Sequence, residues 1–170
     1  HDKIIDNISY NSAIDKPFDI EIKTSLDWDC TISVWLKPNQ NGRQNFFSKN
    51  YWGEGTITLE NSGSLSYYYG INPDGCRSPS WGSYAGFYSK SRIPWGKWSH
   101  VALIRHLSRI DKNGNKDPIM KWYVNGKLDN SSKGVIYKAI ANSGCKITFG
   151  GCAHGTTPGD GQSTSNAAAQ

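Results

Sequence analysis

The stretch "PWGKWSHVALIRH", residues 94–106, and its sequel "KWYVNGKL", residues 121–128, decide how this chain folds. Two Trp and two His crowd the first stretch, which marks either a chemical site or a framework. Val101, Ala102, Leu103 and Ile104 are consecutive apolar residues, so a strand here is apolar on both faces. A histidine in such a strand, His100, is most often a core residue with satisfied hydrogen bonds, and neither His100 nor His106 is expected to do catalysis. The second stretch contains Asn125-Gly126. That pair suits a type I′ hairpin, in which both central residues take positive φ.

Working outward, the same grammar recurs. In "PFDIEIK" Phe18, Ile20 and Ile22 alternate with Asp19, Glu21 and Lys23, the pattern of a half-buried strand. In "CTISVWLKP" Cys30, Ile32, Val34 and Leu36 share one face, Trp35 takes the other, and Pro38 closes the run. Further strands are predicted at "GTITLE", "SLSYYYG", "SYAGFYSK", "WSHVALIRH", "IMKWYVNG", "GVIYKAI" and "CKITFGG". Asn61-Ser62-Gly63 supplies a second turn. Strands at this spacing, with no convincing helix between them, predict an all-β, two-sheet antiparallel sandwich.

The chain has 170 residues, the size of one domain, with aromatics at 12% and a single Met. Its net charge of +5 comes from Lys and Arg scattered singly, with no basic arm, so no nucleic-acid partner is expected. A mild preference for anionic surfaces fits this charge. No apolar run approaches the roughly 20 residues that cross a bilayer, so no membrane span is expected. Cys30, Cys76, Cys145 and Cys152 are disulfide candidates. An extended strand between Cys145 and Cys152 would hold them roughly 20 Å apart, so each would need Cys30 or Cys76 as partner. Inert buried thiols are the alternative. Asn7-Ile8-Ser9 and Asn130-Ser131-Ser132 are sequons for a source that glycosylates secreted chains.

Taken in order, "DCTISVWLKP", "FFSKNYWGEGTITLENSGSLSYYYG", "IPWGKWSHVALIR", "MKWYVNGKL" and "ITFGG" resemble the laminin G-like domains of the concanavalin A-like superfamily. W-x-H-V-A and Y-V-N-G are the most specific parts of the resemblance, which covers residues 18–151. It implies a jelly roll of about a dozen strands, and it makes Trp98, His100, Trp122 and Tyr123 framework positions. Residues 1–17 then form an N-terminal strand or arm, and residues 152–170 a C-terminal loop or tail. Family members usually close with a strand resembling G-x-I-D-E-V-x-I-Y-N-x-A-L, and nothing like it follows Gly151. Either residues 3–14, loosely similar to that strand, take its place, or a neighbouring copy adds a strand at an open sheet edge.

The superfamily includes glycosidases that place two carboxylates on one strand, usually as E-x-D-x-E. This chain's glutamates, Glu21, Glu54 and Glu60, begin no such motif, and Asp27 and Asp29 read as turn residues. No enzyme is expected. "DKNGNKD" sets Asp111, Asn113, Asn115 and Asp117 at alternate positions, a spacing of oxygens that can wrap calcium; a polar hairpin loop is the plainer reading. Aromatics gather in "NYWGEG", "SYYYG" and "SWGSYAGFY". Flat aromatics with a polar handle suit pyranose faces, so Trp52, Tyr67, Tyr69, Asp74, Arg77, Trp81 and Tyr84 are the ligand-binding candidates. Tyr68 faces opposite to Tyr67 and Tyr69, so one set lies outside or under a loop. The resulting expectation is a non-catalytic module that binds a glycan or a surface protein at a cell, matrix or virion surface. The alternative is a structural assembly subunit of a phage virion, tail fibre or extracellular filament.

Overall fold

The computed structural model of the chain describes residues 18–20, 29–38, 43–49, 55–70, 84–133 and 147–149. These carry ten strands: β1 (Phe18–Ile20), β2 (Cys30–Leu36), β3 (Gln44–Lys49), β4 (Gly55–Leu59), β5 (Ser64–Gly70), β6 (Tyr84–Arg92), β7 (Ser99–His106), β8 (Ile119–Val124), β9 (Lys127–Lys133) and β10 (Ile147–Phe149). They build a six-stranded sheet in the order β1-β10-β3-β4-β5-β6 and a four-stranded sheet in the order β2-β7-β8-β9. Every neighbouring pair is antiparallel. The expected all-β sandwich is what the chain forms. Among the described residues no helix is long and apolar enough to cross a membrane. Residues 3–14, "GVIYKAI" and the tail from Cys152 lie outside the described residues.

Period-two alternation sorts the side chains. Ile32, Val34 and Leu36 of β2 turn toward the core while Thr31, Ser33 and Trp35 face out. In the six-stranded sheet, Phe47, Ile57, Tyr67 and Phe87 stand opposite one another across four strands, all buried. The other sheet answers with Val101, Leu103, Met120 and Trp122. Trp122 is fully buried and lies parallel to Phe87, with ring centroids 6.2 Å apart and planes 11° off parallel. Its Nε1 donates to the Phe87 carbonyl at 3.1 Å. One side chain thus adds apolar area to the core and bonds the backbone of the facing sheet.

The sandwich is closed along one side where β6 and β9 meet. A bulge in β9 sets Asn130 opposite Trp122 and Leu128 opposite Tyr123, leaving Asp129 as the extra residue. Its carboxylate accepts from the amides of Lys90 at 2.6 Å and Ser91 at 2.9 Å. Asn130 Nδ2 donates to the Tyr88 carbonyl at 2.7 Å. Side chains of β9 therefore occupy polar groups that the edge strand β6 would otherwise present for pairing.

At the far end of the core lie two buried cations, Lys49 and Arg105. The Arg105 guanidinium sits 6.0 Å from the Tyr67 ring and 5.1 Å from the Tyr69 ring, which stack 5.3 Å apart. Gly55 lies under Tyr67, where an added Cβ would come within 2.3 Å of the ring. Cys30 pairs across from Arg105. It is a free thiol, pushed up to about 11 by burial against the opposing pull of Arg105. The other disulfide candidates, Cys76, Cys145 and Cys152, fall outside the described residues.

Both expected turns form. Asn125 and Gly126 take φ of 50° and 76°, as a type I′ hairpin requires. Gly63, at φ 84°, ends the Asn61-Ser62-Gly63 turn, and its amide bonds the Glu60 carbonyl at 2.8 Å. Two strands absent from the sequence reading appear. β3 carries a bulge between Asn45 and Phe47, and β9 is nearly all polar, so neither shows clean alternation. His100 corrects the expectation of a core histidine: it lies on the outer face of its sheet, where Ser33 Oγ shares a 2.8 Å hydrogen bond with its Nε2.

Two substitutions test this account. Trp122→Phe leaves the Phe87 carbonyl without its indole donor and opens a void, so urea unfolding should show a loss of about 2–3 kcal/mol. Asp129→Ala should cost about 1–2 kcal/mol and increase self-association on light scattering, because the β6 edge becomes available.

Candidate functional site

The outer face of the six-stranded sheet carries a paired aromatic platform. Tyr68 on β5 stands directly across from Gly86 on β6, with Tyr88 two residues further along the same strand. The Tyr68 and Tyr88 rings meet edge to face, 5.7 Å apart at 88°. The Tyr88 hydroxyl donates to the Tyr68 hydroxyl at 2.9 Å. Gly86 makes this arrangement possible, because a Cβ there would lie 3.2 Å from both rings. Tyr88 remains 47% exposed.

Polar groups hold the platform from one side. The Arg43 guanidinium lies 5.6 Å from the Tyr68 ring centre, and its Nε pairs with Glu60 Oε2 at 3.1 Å. Ser66 Oγ donates to Glu60 Oε1 at 2.5 Å. Burial pushes the Tyr68 hydroxyl well above the ordinary tyrosine value, with the Tyr88 hydroxyl and the Glu60 carboxylate adding to the shift. Tyr68 therefore keeps its proton throughout the physiological range. The face offers one ring edge, one ring face, two hydroxyls, a guanidinium and a carboxylate, all fixed by neighbours.

The structure inverts part of the sequence reading of this region. Tyr67 and Tyr69, expected to bind ligand, are buried in the core, because they share the face of Leu65 that packs on the opposite sheet. Tyr68 is the member of the triplet that faces out. Trp52, Asp74, Arg77 and Trp81 lie outside the described residues, as does the side chain of Tyr84. Arg43, Glu60 and Gly86 were missed. A glycine within an aromatic strand was the available signal for Gly86, whereas Arg43 and Glu60 meet only through the β3–β4 pairing.

The Asp111–Asp117 loop is a small hairpin closed by an Ile110–Lys116 bridge. Asp111 Oδ1 accepts from the amides of Asn113 and Asn115, both at 2.8 Å, and Asp117 pairs with Arg109 at 2.7 Å. The hydrogen bond from the Asn115 amide is the largest of several effects that hold the Asp111 carboxyl below its ordinary range. These carboxylates bond the loop's own amides and Arg109.

Asp29 works similarly. It accepts from the amides of Leu107 at 2.6 Å and Ser108 at 2.9 Å and from the Ser108 hydroxyl, and pairs with His106 Nε2 at 3.1 Å. Burial raises its pKa, and these bonds together outweigh that rise and lower it. Among the described side chains, Asp29, Glu60, Asp111, Asp117 and Asp129 are all held in such bonds, and no group of three His, Cys, Asp or Glu could hold a metal.

Solved structures of similar shape include a heptameric SAP-like pentraxin from Limulus polyphemus, at 16% identity and a TM-score of 0.47, matched over 82% of this chain and 58% of that one. Another is the CBM40 of the Ruminococcus gnavus IT-sialidase bound to α2,3-sialyllactose, at 16% identity and 0.49, over 80% and 79%. A third is domain 4 of AbnA, a GH43 extracellular arabinanase from Geobacillus stearothermophilus, in complex with arabinotriose, at 19% and 0.45, over 82% and 58%. The chain thus spans less than two thirds of the pentraxin and of the arabinanase domain. No curated protein matches it significantly. A family profile does, over residues 17–163, that of the laminin G-like family described under the concanavalin A-like lectin/glucanases superfamily. With most of its length matched, and with the two-sheet antiparallel sandwich in place, the chain belongs to that family.

Proposed function

We propose that this domain is a non-catalytic carbohydrate-binding module that works at an extracellular surface, and that the outer face of the six-stranded sheet holds the glycan. The observation that carries the reading is the Tyr68–Tyr88 pair, half-buried Tyr68 bracing exposed Tyr88, fixed before any ligand arrives. A pyranose presents an apolar face of C–H groups and a rim of hydroxyls. The Tyr88 ring suits the first, and Arg43, Glu60 and the two phenols suit the second. Because these groups hold one another, binding orders few of them, which favours affinity from a shallow site. Trp52 lies in the link between β3 and β4, and Asp74, Arg77 and Trp81 in the link between β5 and β6. These four residues remain candidates for the same ligand on their chemistry, flat aromatics with polar neighbours in sequence.

A glycan array probed with the purified chain, in calcium and again with chelator, tests the reading. Saturable binding is expected in both buffers, since the tyrosine platform needs no cation; binding lost with chelator would show that a metal is part of the site. Tyr88→Ala should lower affinity about tenfold or more with little change in melting temperature. Gly86→Ala, which crowds both rings, should weaken binding while the chain stays folded. A folded sample that binds no glycan in either buffer overturns the proposal and favours an assembly role.

A further inference from the structure

The outer face of the four-stranded sheet, on the opposite side of the molecule, also exposes aromatic surface. Trp35 is 62% exposed and Trp98 63%. Trp35 is the next-to-last residue of β2, directly across from His100 on β7. The two rings lie 5.3 Å apart at 55°, and the His100 ring is held in turn by Ser33. The last pair of this ladder is Leu36 with Ser99, so the next residues out are Lys37 and Trp98. The Gly96 amide bonds the Pro38 carbonyl at 2.6 Å, which fastens the turn bearing Lys97 to the end of β2. Lys37 and Lys97 are both exposed beside the two indoles.

Charge on this face is one-sided. Residues 30–37, 98–106 and 119–124, which cover three of its four strands, contain no Asp or Glu. The carboxylate of β9, Asp129, is turned to the β6 edge. Nothing negative therefore competes with a ligand for Lys37 and Lys97 from within the sheet. A flat indole bordered by a hydroxyl, an imidazole and two ammonium groups fits a sugar ring that carries an acidic substituent. A membrane surface is favoured less, because Trp35 is carried by a strand and not by a loop tip.

We propose that this second face, Trp35 with Ser33, Trp98, His100, Lys37 and Lys97, binds an anionic polysaccharide, stacking a sugar on Trp35 and pairing its acidic groups with the lysines. The proposal stands on its own residues, whatever the tyrosine face binds. Dextran sulfate and uncharged dextran, which differ only in the sulfates, are the probes, used with the full chain in isothermal titration at low and high salt. The chain should bind dextran sulfate, lose at least tenfold in affinity as salt is raised, and show at least tenfold weaker binding to dextran.

Trp35→Ala and Lys37→Glu/Lys97→Glu should each lower the dextran sulfate affinity about tenfold. Lys112→Glu/Lys116→Glu, which changes net charge equally at the other end of β7, should stay within about twofold. Equal losses from the two charge variants would mean that net charge alone binds, and would overturn the site. No loss in Trp35→Ala, or capture by phosphatidylglycerol vesicles with no dextran sulfate binding, would overturn it as well.

Discussion

One bond ties the two sheets together through the core, from the Trp122 indole to the Phe87 carbonyl. A sheet can pack on another with either face inward and with many slides in register, and apolar contact alone discriminates weakly among them. A buried indole N–H does discriminate. It must find an acceptor, and the acceptor here is backbone on the opposite sheet. Once Phe87 is inward, strand geometry turns Gly86 and Tyr88 outward, and the β5–β6 register brings Tyr68 beside them. The aromatic platform thus follows from the latch.

The fold was legible because most of its strands obey a simple rule. In "CTISVWL" and "SLSYYYG" every second residue is apolar or aromatic, and the faces predicted for β2 are the faces observed. β9 was not legible because its residues do no core work; Asp129 and Asn130 bond the neighbouring edge, and such bonds leave no periodic trace. For the site, alternation separated Tyr68 from Tyr67 and Tyr69 without saying which set was buried. That choice depends on Arg105, Gly55 and the opposite sheet, which come together only in three dimensions. His100 was misplaced because the apolar run after it continues on both faces, whereas its own neighbour across the ladder is the exposed Trp35.

The two ends of the core differ in character. Around Phe87 and Trp122 the contacts are apolar, whereas on the other side of Tyr67, toward Tyr69, the Arg105 guanidinium is taken from water. Burying charge is costly unless it is well surrounded, and stacked tyrosine faces supply part of that surrounding for Arg105. Such groups tolerate little displacement, so this end of the sandwich gives β2, β4, β5 and β7 a common fixed point. Gly55 belongs to the same constraint, since no side chain fits between its backbone and the Tyr67 ring.

The bond from Asn130 to Tyr88 has a consequence for how the chain is made. Asn130 opens the sequon Asn130-Ser131-Ser132, and the nitrogen that a glycan would occupy is the one that donates to the Tyr88 carbonyl. In a secretory pathway that attaches glycans to nascent chains, modification and folding compete for a single amide. A chain modified first would carry a branched sugar on the nitrogen that faces β6, and the one N–H left there would reach the Tyr88 carbonyl only with that sugar accommodated beside the seam. A chain folded first presents that nitrogen already engaged. The host chosen to produce this domain therefore decides what this seam must accommodate, while the Asp129 bonds beside it are left untouched.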